Sequence, residues 1–377
     1  MSLASSVSVQ EFSREKFKKT WKVLEQAQAE GAAPGFVAGL WDARDPDRFQ
    51  ILAQGSRRVT PSEQGISLDT VFDLASVTKV FGTAALAARL VERGWITWET
   101  PVSALLPQFS HGEIKIKHLL SHTAGFAAWA PFWEQIREKF SGQDLLRVAI
   151  ADRQRMMREL VLASVPEVAV ETRALYSDLS FLILGFALEE ATGLPLDVAV
   201  KRWVWAPMGI EGAFYRRTFG TLETLQDVAA TELSEWRGGV LQGQVHDENC
   251  WTMGGYGGHA GAFGRAEDVL RFARALCLGF FSPQTLRAMW TRVSRPSGCE
   301  RTLGWDTPSS EGSSVGRLFS QASVGHLGFT GTSLWIEPEK GIAAVLLSNR
   351  VHPSRENIAI RTVRPLFHTA LREDLGH

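Results

Sequence analysis

The sequence predicts an α/β protein of the α+β kind: an antiparallel sheet flanked by helices from the two chain ends, with a mostly helical lobe inserted in the middle. Three observations predict it. Strand-type runs lie near both chain ends, helical periodicity dominates the middle, and 377 residues at 45% hydrophobic content can bury a core large enough for two lobes. The expected division is residues 1–72 with 250–377 for the sheet lobe and 73–249 for the helical lobe, with a cleft between them.

Between Val9 and Glu30 the apolar residues Phe12, Phe17, Trp21, Val23, Leu24 and Ala27 recur at roughly helical spacing before the breaker Gly31–Gly35, which predicts an opening amphipathic helix. Residues 35–43 and 48–59 are β-rich and separated by Asp45-Pro46-Asp47, which predicts an antiparallel pair. In the middle third, 78–93, 180–192 and 196–205 read as helices joined by turn-rich segments. The glycine-dense stretch after Gly254 leads into helices expected at 266–278 and 283–290. Extended runs at 323–329, 332–336 and 342–348 then precede a closing helix expected at 354–371.

Composition narrows the function. Forty basic against forty-one acidic side chains leave a formal charge of −1, so no overall field holds the chain on nucleic acid or an anionic membrane, and a small-molecule or peptide substrate fits better. Cys250, Cys277 and Cys299 are too few for a disulfide framework and lack zinc or redox spacing. None of the nine histidines forms a His-Glu-x-x-His ligand pair, so a catalytic metal is not expected. The leading residues lack an apolar signal core, and the greasiest stretch, 181–188, is too short to span a bilayer; cytoplasm is the expectation, with export open if a leader was removed.

A Ser-x-x-Lys spacing occurs twice, at Ser13 with Lys16 and at Ser76 with Lys79. The first lies in a charged run and reads as a solvated helix face. Ser76 instead opens an apolar helix running through Val80, Phe81, Ala84 and Leu86, where positions i and i+3 share a face and the amine reaches the hydroxyl. Burial near Phe72, Leu74 and Phe81, with the positive helix terminus, is expected to depress the Lys79 pKa so that a neutral amine accepts the serine proton. A capping serine with a snorkelling lysine fits this segment alone equally well, so companion motifs decide.

The second element is Tyr176-Ser177-Asp178 at the mouth of another apolar helix. Of the three tyrosines, only Tyr176 is followed two residues later by an acidic or amide side chain. Beside Lys79 its phenol is expected to have a lowered pKa and to shuttle a proton, against the plainer alternative of a core tyrosine. The third is His326-Leu327-Gly328-Phe329 on an expected strand, whose glycine lets substrate approach and whose Phe329 N–H could join that of Ser76 in an oxyanion hole. A structural strand histidine is the alternative.

In this order, Ser76/Lys79, Tyr176/Asp178 and His326/Gly328, the chain resembles the class C β-lactamase, D-Ala-D-Ala carboxypeptidase and family VIII esterase group, with its Ser-x-x-Lys, Tyr-x-Asn and Lys/His-x-Gly. The stretches 118–125, 257–263 and 331–336 resemble the same group, and the likeness spans about residues 10–372. It implies a β-lactamase/transpeptidase-like fold and a cofactor-free acyl-enzyme mechanism. Within it, Asp178, His326, Gly328 and His259 become expected substrate-binding residues, and 246–249 (His-Asp-Glu-Asn) expected cleft lining, with structural turns as the alternative there. Two departures bear on substrate. An ionised Asp178 accepts but cannot donate, which weakens a grip on an amide carbonyl and favours a protonated Lys79, shifting base duty towards Tyr176. His326-Leu327-Gly328 in place of Lys-Thr-Gly loses a permanent cation and a hydroxyl. Esters, D-amino-acid amides or muropeptides are therefore expected over penicillins, and a protein that acylates without turnover is the competing reading.

Other signals are weaker. Gly312-x-Ser314-x-Gly316 matches a nucleophile elbow, but a polar loop precedes it where a strand is required. Gly255-x-Gly257-x-x-Ala260 is a degenerate dinucleotide match without a preceding strand. Trp129 and Trp133 are candidates for an apolar acyl pocket.

Overall fold

The structure, a computed structural model, describes residues 7–140, 144–218 and 227–376. Its main sheet contains β1 (Ser8–Glu11), β2 (Gly35–Asp42), β3 (Arg48–Arg58), β4 (Gln64–Gly65), β5 (Val324–Leu327), β6 (Ser333–Glu337) and β7 (Ile342–Ser348). The order is β1-β3-β2-β7-β6-β5, with β4 paired on β3. All pairs are antiparallel except β1 with β3. Strands from the first sixty residues thus pair with strands from the last sixty, Ala38 opposite Leu346 and Leu40 opposite Ala344.

β2 is buried on both faces because the sheet is covered on both. Phe36, Ala38 and Leu40 point into a core shared with Trp21, Leu24, Phe367 and Leu371 of the terminal helices Lys18–Ala29 and Ile360–Asp374. Val37 and Trp41 point the other way, into the larger core containing Phe81, Leu270 and helix Asp178–Thr192. This alternation is the period-2 geometry of a strand. At Gly39 an added Cβ would stand 2.9 Å from Leu270 Cδ1, so helix Ala266–Cys277 can lie directly on the sheet. Among the described residues no single helix is long and apolar enough to cross a membrane.

Two helix starts differ from expectation. Residues 8–11 are extended and paired with 48–51, and the first helix begins only at Lys18. Phe12 and Phe17 still meet, with ring centroids 4.3 Å apart, so the apolar pattern survives while the backbone of 8–11 completes a sheet edge. The last helix begins at Ile360 rather than 354. Arg350 holds the carbonyls of Arg355 and Asn357, each at 2.8 Å, and those bonds keep this stretch irregular. Helices Phe132–Lys139 and Ile150–Leu162 lie in segments expected to be turn-rich connections.

Near the site, Phe72–Asp73, Ala262–Gly264 and Phe214–Tyr215 form a small sheet. It joins the Ser76 segment to the glycine-dense loop. Lys79–Ala84 then runs as a π-type turn into helix Ala85–Glu92, a distortion frequent at functional sites.

Candidate active site

Ser76 follows Ala75, whose φ of +47° is rare for a side chain with a Cβ. The buried Asp73 carboxylate pins this turn, accepting from the Ala75 N–H at 2.8 Å and the His246 N–H at 2.7 Å. Fully buried Lys79 donates from Nζ to Ser76 Oγ at 2.9 Å, Asp178 Oδ1 at 2.7 Å and the His259 carbonyl at 3.0 Å. Three acceptors match the three donors of an ammonium.

The lowered pKa values expected for Lys79 and Tyr176 are both reversed, whereas the protonated Lys79 expected from an ionised Asp178 is what the site holds. Burial pushes Lys79 down, but the Asp178 carboxylate and Tyr176 outweigh it, and the pKa lies above its ordinary value. Burial pushes the Tyr176 phenol up; Lys79 pulls it back and Asp178 adds to the rise, leaving it above the ordinary tyrosine value as well. The resting state is a charged Lys79 beside a neutral Tyr176, with Nζ 4.8 Å from the Tyr176 ring centre.

His122 of the 118–125 stretch orients Tyr176. Its ring lies between Tyr176 at 4.8 Å and Phe181 at 5.1 Å, and its Nδ1 accepts from the Ser177 N–H at 3.0 Å. Burial, helped by the Arg301 and Lys79 charges, holds this imidazole neutral. Ser177 Oγ caps helix Asp178–Thr192 by accepting from Ser180 N–H, while the Asp178 N–H donates to the Ala128 carbonyl at 2.8 Å.

The third motif is tied to the nucleophile segment. Thr330 Oγ1 donates to the Asp73 carbonyl at 2.7 Å and Thr332 Oγ1 to the Leu74 carbonyl at 2.9 Å. A Cβ on Gly328 would lie 2.0 Å from Thr332 Oγ1 and 2.6 Å from the Leu74 carbonyl oxygen, so only glycine permits this approach. Phe329 is half exposed, its carbonyl held by Arg350 Nε at 2.7 Å and its ring facing His246 at 5.5 Å. His326 is buried, with Nδ1 2.9 Å from the Leu327 carbonyl and its ring 6.0 Å from Tyr176. Burial and the Lys79 charge hold it well below the ordinary histidine pKa, so no cation stands on this strand.

Ser76, Tyr176, Asp178, His259, His326, Gly328 and Phe329 all line one cavity of about 870 Å³. His259, expected to bind substrate, is 1% exposed; its Nε2 pairs with Asp247 Oδ1 at 2.8 Å and its carbonyl holds Lys79. Burial pushes the Asp247 carboxyl up, but His259 and the Cys250 N–H outweigh it and hold it well below the usual range. Asn249 is structural, bridging the Trp133 N–H and the Ala130 carbonyl. Trp129 lies on the cavity rim, whereas Trp133 is stacked 4.6 Å from Trp236 and does not line it. Ser314 sits in a turn with no strand before it, and Ser13 Oγ accepts from the Lys16 N–H on the surface.

The chain matches the family described as Beta-lactamase over residues 22–366. It belongs to the β-lactamase family. Curated relatives of this β-lactamase-family chain include “Putative D-alanyl-D-alanine carboxypeptidase” of Salmonella gallinarum and of Salmonella typhimurium, each 30% identical over 340 residues, covering 82% of this chain and 74% of theirs. Among solved structures, the fold matches EstCE1, a hydrolase with promiscuous acyltransferase activity, with a TM-score of 0.70, 23% identity, and 95% and 98% of the two chains covered. It also matches the octameric penicillin-binding protein homologue of Pyrococcus abyssi, with a TM-score of 0.68, 21% identity, and 92% and 76% covered. The fold is thus that of the β-lactamase-related serine hydrolases, as the motif order implies.

In this β-lactamase-family cavity, sequence reasoning missed an arginine-rich part of the lining. Arg350, Arg355, Arg361 and Arg364 form it, beside the expected cleft-lining stretch 246–249, of which His246, Asp247 and Glu248 do line the cavity. Arg355 pairs with Glu232 and Glu248, and Glu232 also accepts from His246 Nε2 at 3.0 Å. Arg364 Nη2 donates to the carbonyls of Gly328 and Thr332, at 2.7 and 2.8 Å. The density of arginines between 350 and 364, bridging an expected strand end and an expected helix, was the available signal. Arg301, 5.5 Å from the Tyr176 ring centre, was also missed and had no local motif.

Proposed function

We propose that this protein is a serine hydrolase acting through a covalent acyl-enzyme on an ester or amide: a short-chain ester, a D-amino-acid peptide or a muropeptide. Ser76 Oγ bonds to the substrate carbonyl carbon while its proton passes to the Tyr176 oxygen in its phenolate form, stabilised by charged Lys79. The Ser76 and Phe329 N–H groups receive the oxyanion. Tyr176 returns the proton to the leaving alcohol or amine, and water then releases the acid and regenerates Ser76. The observation that carries this reading is the 2.9 Å contact from Lys79 Nζ to Ser76 Oγ in a buried pocket opening on the cavity. The neutral His326 argues for weak β-lactam turnover, since a substrate carboxylate finds no cation on that strand.

The test is a substrate panel of p-nitrophenyl butyrate, nitrocefin and a D-alanyl dipeptide, read by turnover and intact mass. Ester turnover should exceed that of nitrocefin in kcat/KM and should rise with pH above neutrality, because the phenol must lose its proton. Ser76→Ala should lower turnover by at least about a thousandfold and remove any acyl adduct. Undiminished turnover in that variant overturns the assignment, and a wild-type adduct that persists without product supports the acylating, non-hydrolysing alternative.

A further inference from the structure

Tyr176 is surrounded by charged and titratable groups from five segments: Lys79, Asp178, His122, His326 and Arg301. The last has no place in the motifs. Its guanidinium lies over the Tyr176 ring, 5.5 Å from its centre, and it is not among the cavity-lining residues. Asp306 pairs with it, and Asp306 in turn exchanges backbone hydrogen bonds with Gly325, at 2.8 and 2.9 Å, beside His326. The Arg301 carbonyl accepts from the Val293 N–H at 2.9 Å, so its backbone is anchored as well. With His122 and His326 both neutral, the cations over the Tyr176 ring among the described residues are Lys79, 4.8 Å from its centre, and Arg301, 5.5 Å from it. The interaction is mutual, for Tyr176 raises Arg301 against the lowering that burial imposes.

We propose that Arg301 is a positioning residue that favours ionisation of Tyr176, supplying from the neighbouring segment the positive charge that His326 does not carry. Only its kinetic consequence rests on the acyl-enzyme reading. An unpaired unit charge about 5 Å from a phenol inside a protein changes its ionisation by about one to two pH units, and the paired Asp306 carboxylate offsets part of that for Arg301.

The experiment labels the three tyrosines with ¹³C at the ring carbon bearing oxygen, follows each by NMR from neutral to alkaline pH, and identifies Tyr176 by its loss in Tyr176→Phe. Arg301→Gln should raise the Tyr176 midpoint by about half a unit or more, and Arg301→Lys should restore most of that shift. Asp306→Asn, which removes the counter-charge and keeps the arginine, should lower the midpoint and serves if Arg301→Gln fails to fold. An unchanged midpoint in a folded Arg301→Gln, or in Asp306→Asn, overturns the proposal. The alkaline rise of ester turnover should move with the NMR midpoint. A midpoint that moves while the kinetic profile stays fixed keeps the Arg301 coupling and removes Tyr176 as the base.

Discussion

The two walls of the cavity are held by different forces. On the Ser76 wall, main-chain hydrogen bonds do the placing: Asp73 to the Ala75 N–H, Asp178 N–H to the Ala128 carbonyl, and two threonine hydroxyls to the Asp73 and Leu74 carbonyls. On the arginine-rich wall, charged side chains hold one another, Arg355 with Glu232 and Glu248, and Glu232 with His246. Backbone bonds fix positions within tenths of an ångström, whereas partly exposed ion pairs can be exchanged by changing one residue. Chemistry should therefore be concentrated on the first wall and selectivity on the second.

The largest effect should come from the Lys79–Asp178 ion pair on the first wall. Lys79→Ala should abolish acylation, at least about a thousandfold by single-turnover mass spectrometry, because the serine loses its cationic partner. It also strands the Asp178 carboxylate, and breaking a buried pair costs about 3–5 kcal/mol. The double variant Lys79→Ala/Asp178→Asn separates the two: it should recover thermal stability but not acylation. Near-normal turnover in either variant would place the chemistry elsewhere.

A middle-sized effect should come from the second wall. Glu232 lies well below the ordinary carboxyl range, at about 2; burial pushes it up, but His246 and Arg355 outweigh that. Because its folded pKa is depressed, the stability it contributes is present above about pH 4.5 and is lost as pH falls through about 2. Glu232→Gln should cost about 1–2 kcal/mol near neutrality, a fall of a few degrees in Tm, and should flatten the acid loss in that window. Its kcat should change less than that of any first-wall variant. A collapse of kcat as deep as that of Lys79→Ala would erase the distinction between the walls.

The same distinction explains what the sequence could disclose. Ser76 with Lys79 and Tyr176 with Asp178 are one helical turn or less apart, so local geometry brings each pair together, and the strands within 35–58 and 323–348 stand out as β-rich apolar runs bounded by turn residues. The protonation states were legible only in part: the acid at position 178 pointed to a charged Lys79, while the raised pKa of Tyr176 was not foreseen. They depend on Asp178 reaching Lys79 across 99 residues and on both groups being buried, which no spacing encodes. The second wall joins Glu232, Glu248 and Arg355 across more than a hundred residues, and its partners look like ordinary surface charge until the chain folds. The early start assigned to the closing helix had the same origin, since the long-range role of Arg350 in holding 355 and 357 open has no local trace.

The smallest effect should appear on the rim, where neither force operates. Trp129 is 44% exposed and lines the cavity. An indole there contributes by covering apolar acyl groups, which is proportional to the area buried against it. Trp129→Ala should therefore raise KM several-fold for p-nitrophenyl octanoate, less for the butyrate, and leave kcat and Tm nearly unchanged. The chain-length dependence is the decisive feature: a uniform loss across acetate, butyrate and octanoate would mean that the indole orients the Ser76 wall rather than covering substrate, and the boundary between placement and selectivity would have to be redrawn to include the rim.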